Sequence, residues 1–370
     1  MRIAHVNTEF SWGGGEAQTI YLARNLAAAG HDCRIFAYRS GKLYRSSKRA
    51  GLEVKAVPGG PFPNPALFLF LWKEIASGSY DICHFHTAHA VAMGAYATAG
   101  QGGCVRIATR RTSNSLGGNF LSWTGPWKIL DHVIAVSETV RDRLLDGGVV
   151  DSRISVIHSA VDLARFSAPG RTIRFRREIG AGDADFLVGV ISRLTARKGQ
   201  DRLIEAAARL RNQHPNLRVV IIGEGEKGDD LARRIGSLGL EGVVSLLGFR
   251  EDIPVVLAGL DCLVFPSALG EGSPGVIKEA MSAGVPVIGV DHPIVREIVT
   301  PGKSALLVSP EDVGSLAWGI DCLIRNPSLA RSLALHGRDE AERYSVRRMV
   351  AATEAVYRKA LLDRRMRKVV

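Results

Sequence analysis

The 370-residue chain has no CxxC pair, no cluster with metal-ligand spacing and no apolar run long enough to cross a bilayer. Its five cysteines, Cys33, Cys83, Cys104, Cys262 and Cys322, are odd in number and fall mostly in apolar runs. That pattern excludes a disulfide framework and points to buried thiols in a reducing compartment. The longest conspicuous apolar run, residues 66–72 (ALFLFLW), is too short for a membrane span. Met1-Arg2 leads straight into an apolar strand rather than into the core of a signal peptide, so a cytoplasmic or peripheral protein is expected. A GxGxxG turn is missing as well. The glycine loop after the first strand reads Ser-Trp-Gly-Gly-Gly (11–15), and no acidic residue sits correctly at the end of the second strand, which argues against a nicotinamide dinucleotide.

What is present is an alternation of strands and helices. A hydrophobic content of 46% supports real cores, and the length is a little over twice that of a usual domain, so two domains are expected. In the first half, strands are expected at 3–6, 33–38, 81–86, 105–109, 131–136 and 154–157, with a helix over 16–29 and Ser137 capping another. The 81–86 strand ends in the pair His84-x-His86. Residues 40–80 give only a basic cluster, Lys42, Arg45, Lys48 and Arg49, and a loop marked by Pro58, Pro61, Pro63 and Pro65. The second half repeats the pattern, with strands at 187–191, 217–222, 243–247, 262–265, 285–290 and 305–308. A last helix over 346–364 carries one apolar stripe through Met349, Val350, Val356 and Ala360.

Residues 261–290, DCLVFPSALGEGSPGVIKEAMSAGVPVIGV, hold the densest chemistry. They read as strand, loop, helix (276–283) and strand. Gly270, Gly272 and Gly275 free the loop backbone, and Gly284 with Pro286 stops the helix. Glu271 sits at a strand's carboxyl end. Glu279 lies one turn into the helix and points back toward its N-terminus. The amides of Ser273, Gly275 and Val276 face the same space, and a helix N-terminus favours anions. One site can therefore hold a phosphate on backbone amides and a polyol on two carboxylates, the two features of a nucleotide sugar.

EGSPGVIKEAM followed by AGVPV resembles the Glu-x7-Glu signature of retaining glycosyltransferases of the GT4 type. Their GT-B fold consists of two doubly wound, Rossmann-like α/β domains facing each other across a cleft. Further segments resemble the same family: SRLTARKG (192–199), the hinge-like HSAVDLARF (158–166) and the WGGGE loop. Residues 167–183, with Pro169 and Gly170, read as a linker. The resemblance implies an acceptor-binding domain over 1–167, a nucleotide-sugar-binding domain over 168–342 and a final helix, 343–370, crossing back to the first. It implies that Arg193 and Lys198 stabilise the departing diphosphate. Glu271 would bind sugar hydroxyls and complement positive charge at the anomeric carbon, and Glu279 would bind the ribose diol. Gly14, Gly15, Glu224, Gly272, Ser273, Pro274, Gly275 and Val276 are implied to line the donor, with Phe249 and Arg250 at the turn that meets the nucleobase. His86 would face the acceptor and the reacting centre, whereas His84 packs and His89 is left open. Glu16 is placed with the acceptor. Many relatives carry a histidine just after the 105–109 strand. Arg110 or Arg111 stands there instead and implies an anionic acceptor or help for the leaving phosphate.

No DxD motif appears in a suitable place, because Asp229-Asp230 starts a surface helix. The expectation is a reaction without metal or cofactor, on a UDP-, GDP- or ADP-sugar. A nucleotide-sugar 2-epimerase of similar fold and a non-catalytic nucleotide-sugar-binding protein are the alternatives. The net charge of +11 is uneven: +6 over residues 1–167, −2 over 168–342 and +7 over 343–370. No nucleic-acid motif accompanies it, so an anionic lipid surface is the expected partner. Residues 42–49, 66–72 and 364–368 are its candidate contacts, with 66–72 equally able to serve as core. A peripheral enzyme at the inner face of the membrane, acting on a lipid-linked or lipopolysaccharide-type glycan, is the resulting expectation.

Overall fold

The computed structural model describes residues 1–60, 62–99, 104–114, 125–167, 173–267 and 270–367. Part of the expected linker (168–172), Ala268-Leu269 of the glycine loop and Lys368 of the tail lie outside these. The chain forms two units, Met1–Ala160 with Val346–Val370, and Val161–Ser345. The boundary falls inside the hinge-like segment, between Ala160 and Val161. The Val161 amide donates to Tyr344 O at 2.8 Å, and Phe166 is buried in the second unit's core.

The first unit is built on strands β1 Arg2–Val6, β2 Asp32–Tyr38, β3 Glu53–Val57, β4 Ile82–Phe85, β5 Val105–Arg110, β6 His132–Ala135 and β7 Ile154–Val156. They form one sheet in the order β3-β2-β1-β4-β5-β6-β7, with every pairing parallel. Side chains on successive strand residues point to opposite faces. Ile35 and Ala37 meet helices α1 (Gly14–Ala28) and α2 (Lys42–Arg49), while Phe36 and Tyr38 share a cluster with α3 (Pro65–Gly78) and α4 (Ala88–Thr98). Short helices α5 (Gly125–Lys128) and α6 (Glu138–Asp146) complete that second face. The C-terminal helix, Val346–Arg367, belongs to this unit and buries Val350, Val356, Tyr357 and Ala360 against Ile3, Leu22 and Leu26.

The stretch 40–80 resolves into α2, β3 and α3. β3 is an edge strand whose EVKAV alternates charged and apolar residues, which hides it in a search for apolar runs. Asn64 caps α3 by accepting the Leu67 amide at 3.0 Å, with Pro65 at the first helical position. The ALFLFLW run divides at helical spacing. Leu67 and Leu71 are core, whereas Leu69 (54%) and Trp72 (47%) are exposed.

The second unit begins with α7 Leu163–Phe166 and α8 Ile173–Glu178. Its strands are β8 Phe186–Ile191, β9 Leu217–Ile222, β10 Val244–Leu246, β11 Cys262–Phe265, β12 Val287–Val290 and β13 Leu306–Val308, in the order β10-β9-β8-β11-β12-β13. Helices α9 Gln200–Leu210, α10 Gly228–Ser237, α11 Ile253–Gly259, α12 Gly275–Ser282, α13 Pro293–Arg296, α14 Val313–Arg325 and α15 Pro327–Ala341 cover the two faces. Arg176, in a segment read as linker, is 1% exposed and ties α8 to the sheet through Asp261 at 2.9 Å and the carbonyl of Gly259 at 3.0 Å.

Both sheets reverse strand order once, between β1 and β4 and between β8 and β11. In open α/β sheets the loops leaving the strands at such a switch diverge and leave a crevice for ligand.

Candidate active site

In the second unit the switch places the loop after β8 beside the loop after β11. Lys198 comes from the first loop and Glu271 from the second, and they form an ion pair. The Ser267 hydroxyl lies 3.0 Å from Glu271 Oε1 and 3.2 Å from the carbonyl of Arg197, so it joins the two loops. Lys198 and Glu271 are each partly buried, where a charge pair is screened less than at the surface. Arg193, on the same loop as Lys198, is exposed, and its side chain makes no hydrogen bond or ion pair among the described residues. Its carbonyl accepts the Gln200 amide at 2.9 Å, and Gln200 also reaches Ser192 Oγ at 2.9 Å, which fixes the loop backbone.

The Gly223-Glu224-Gly225 turn lies directly on this loop. A Cβ on Gly223 would come within 1.9 Å of Ser192 O, and one on Gly225 within 2.2 Å of Leu194 O. Only glycine allows that approach. The Glu224 carbonyl accepts the Leu194 amide at 2.9 Å, so Glu224 acts on the loop through its backbone. Gly272 and Pro274 are buried; Ser273, Gly275 and Val276 are half-buried at the start of α12. A Cβ added to Gly275 would lie 4.0 Å from Glu279 Oε1, so the carboxylate stands over the helix N-terminus, as the sequence led one to expect. Burial pushes the Glu279 carboxyl up to about 7, against the opposing pull of Arg165 and Lys278.

One donor assignment changes character. Arg250 was expected at the nucleobase turn. Its guanidinium instead holds both oxygens of Asp252, at 2.9 and 2.7 Å, and an ion pair with Glu178, over the ring of Phe175. The two hydrogen-bonded carboxylates raise its pKa further. Phe249 is the side chain this turn leaves at the surface, 42% exposed.

In the first unit the switch joins the loops after β1 and β4 through the Thr8 and Thr87 hydroxyls, 2.8 Å apart. Glu16 is 5% exposed, and both its oxygens serve the glycine loop: one accepts the Gly13 amide at 2.9 Å, the other Asn7 Nδ2 at 3.3 Å. It therefore shapes the loop rather than standing open to an acceptor. Gly14 has open space where a side chain would be, and Gly15 lies against Arg111, whose Cδ would be 3.4 Å from an added Cβ. Arg110 is 7% exposed, reaches the carbonyl of Asn114 and stacks over Trp127. Of the two arginines, Arg111 is the one set against the glycine loop. Burial lowers both guanidinium pKa values to about 10, with Glu16 partly offsetting the effect on Arg111.

His86 is 3% exposed rather than open, and the sequence reading missed its partner, His5. His5 Nδ1 lies 3.1 Å from His86 Nε2, and Arg111 Nη2 approaches His86 Nδ1 at 3.5 Å. Arginine only donates, so His86 receives at Nδ1 and carries its proton on Nε2, which it gives to His5 Nδ1. The His5 proton then sits on Nε2, an atom with no partner among the described residues. His84, paired with His5 across the sheet, lies between the hydroxyls of Tyr357 (2.6 Å) and Thr109 (2.7 Å). Burial holds all three imidazoles neutral, His5 at about 3 and the other two well below the usual value, with neighbouring histidines and Arg111 adding to it. Their ligand atoms lie within 4.8 Å of one another, close enough in principle for a metal ion. Both nitrogens of His84 are already engaged, and the Arg111 cation beside His86 opposes a second positive charge.

Comparison with known proteins agrees with the two-unit α/β fold. The family described as "Glycosyltransferase Family 4" matches residues 12–165, and "Glycosyl transferases group 1" matches residues 172–340. The chain belongs to this family: it is a glycosyltransferase of the GT4 type with the GT-B fold. EpsD of Bacillus subtilis, named as a glycosyltransferase, is 29% identical over 341 residues, covering 89% of each chain. The GDP-mannose-dependent α-(1-6)-phosphatidylinositol monomannoside mannosyltransferase of Mycolicibacterium smegmatis is 31% identical over 217 residues, 56% of each chain. HepE of Anabaena, solved in complex with UDP-glucose, superposes with a TM-score of 0.85 at 23% identity, over 97% of this chain and all of that one.

Proposed function

We propose that the protein moves a sugar from a nucleotide sugar to a glycan or lipid-linked acceptor with retention of configuration and without a metal ion. The observation that carries this reading is the pairing of Lys198 with Glu271 beside the amide-lined turn that opens α12. A diphosphate on that turn takes Arg193 and Lys198 as counter-charges. Glu271, released from Lys198, faces the sugar and complements positive charge at its anomeric carbon. Glu279 holds the ribose diol. The bond from the anomeric carbon to the phosphate oxygen breaks as the acceptor oxygen attacks on the same face, and the acceptor proton passes to a β-phosphate oxygen. The names of HepE and of the mannosyltransferase make UDP-glucose and GDP-mannose the first donors to try. Arg111, with the neutral histidines behind it, is assigned to the acceptor.

A membrane-associated acceptor fits the outward stripe of Leu69 and Trp72 on α3 and the exposed Lys42, Arg45, Lys48 and Arg49 on α2. These lie on opposite faces of the sheet, so a flat bilayer meets both only along the β3 edge. Among the described residues no helix is long and apolar enough to cross a membrane.

The test is incubation with labelled UDP-glucose and GDP-mannose and a membrane extract, with and without EDTA, followed by assignment of the product anomer. Transfer with retention, unaffected by EDTA, is expected. Inverted product, or activity lost to EDTA and restored by Mg²⁺, contradicts the mechanism. An isomerised free nucleotide sugar indicates the epimerase, and binding alone the non-catalytic protein.

A further inference from the structure

Lys278 stands between the two signature glutamates, and the mechanism above gives it no task. Lysine is rarely fully buried, and this one is 0% exposed. Its Nζ lies 2.6 Å from Ser273 Oγ and 4.7 Å from the centre of the Tyr344 ring. Burial pushes its ammonium down to about 7, although Glu297 and Glu279 favour the charge. A methionine of similar length would fill the space without that electrostatic cost.

The geometry of the hydrogen bond says what the lysine does. Once protonated, Lys278 only donates, so in the diphosphate-bound state the Ser273 hydroxyl accepts from it and has its own proton left to give. Ser273 belongs to the turn whose amides open α12, and it is half-buried rather than sealed. A hydroxyl that accepts a charge-assisted hydrogen bond becomes a stronger donor on its other side.

We propose that Lys278 is a positioning residue for the donor turn: from beneath, it orients Ser273 so that the hydroxyl proton is given to a phosphate oxygen of the bound nucleoside diphosphate, and it sets a buried positive charge behind the turn's amides. This rests on the reading of that turn as the diphosphate site. Two consequences follow. Ser273 and Lys278 act as a unit, so removing both weakens binding little more than removing either. A bound diphosphate also draws a proton onto Lys278. The charged and titratable groups around it are Glu279 on its own helix, Glu297 after α13, and Tyr344, with Arg343 on that ring and Arg165 opposite Glu279.

Calorimetric titration with UDP, GDP and ADP at pH 8, in buffers of different ionisation enthalpy, tests it on wild type, Ser273→Ala, Lys278→Met, the double variant and Arg193→Ala. The expected result is a roughly tenfold loss of affinity for each of Ser273→Ala and Lys278→Met, as for a lost charge-assisted hydrogen bond. The double variant should lose no more than about twofold beyond that. Proton uptake on binding should be seen in wild type and Ser273→Ala and be absent in Lys278→Met. Lys278→Met should also melt no lower than wild type, which separates a lost contact from a damaged fold. Losses that multiply in the double variant, or proton uptake that survives Lys278→Met, overturn the proposal. Failure of the underlying reading has a different signature: no nucleoside diphosphate binds wild type, or Arg193→Ala binds as wild type does, and either overturns both.

Discussion

At the strand ends of the first unit, the buried imidazoles are kept neutral. His86 is hydrogen-bonded to His5, His84 to the hydroxyls of Tyr357 and Thr109, and Arg111 is set against the glycine loop beside them. At the corresponding strand ends of the second unit, polarity is charged. Lys198 is paired with Glu271, and Lys278 and Glu279 are neighbours whose pKa values are both displaced to about 7. The two units share a sheet topology with one reversal of strand order, so the fold does not dictate the difference. A neutral hydrogen-bonded frame holds a shape and asks nothing of the ligand's charge. A charged one is costly until a counter-charge arrives, which is what a diphosphate supplies.

The comparison breaks most visibly at Arg193 and Lys198. Replacing either by alanine should lower turnover by at least ~100-fold, by analogy with the loss of one transition-state donor. Near-normal turnover in either variant would remove the diphosphate assignment. Next in size is the division between the carboxylates. Glu271→Gln should mainly lower kcat and Glu279→Gln mainly weaken nucleotide affinity, since one meets the reacting sugar and the other a remote part of the donor. Equal effects on both parameters for both variants would merge the two roles.

A smaller effect is read in stability against pH. The folded Glu279 carboxyl titrates at about 7, above its ordinary value. Between the two values the folded chain keeps a proton that the unfolded chain has lost, so this group's contribution to stability falls as pH rises toward 7. Melting temperatures across that range should fall less steeply in Glu279→Gln; an identical slope would contradict the buried carboxyl. Smallest of all is the predicted silence of the first unit. NMR of its ring nitrogens should show His86 and His5 protonated at Nε2, with none of the three charging between pH 8 and pH 5. A titration within that window would make the cluster a switch rather than a frame.

Much of the donor side was legible because its residues lie close in sequence. Glu271, the glycine turn and Glu279 follow one another through strand, loop and helix, and local rules of capping and side-chain direction place them together. The Lys198–Glu271 pair was not legible, because its partners are 73 residues apart and meet only through the adjacency of β8 and β11. Arg250 looked available for a base until α8 brought Glu178 to it from a stretch read as linker. His5 stood as one polar residue in an apolar strand, and only the register of β1 on β4 sets it beside His84. Glu16 carried the one local signal that was passed over. A glutamate three residues after a helix's first flanking position commonly accepts that residue's amide, and here it accepts the amide of Gly13.

The central claim is that charge in the second unit, and not in the first, receives the donor's diphosphate. The most direct measurement is the affinity of UDP and GDP for Lys198→Ala, measured beside Arg111→Gln. The account predicts that Lys198→Ala weakens binding by about tenfold or more, as expected for a lost charged contact to phosphate, while Arg111→Gln binds as wild type does. Retained affinity in Lys198→Ala together with a loss in Arg111→Gln would place the diphosphate in the first unit and contradict the account.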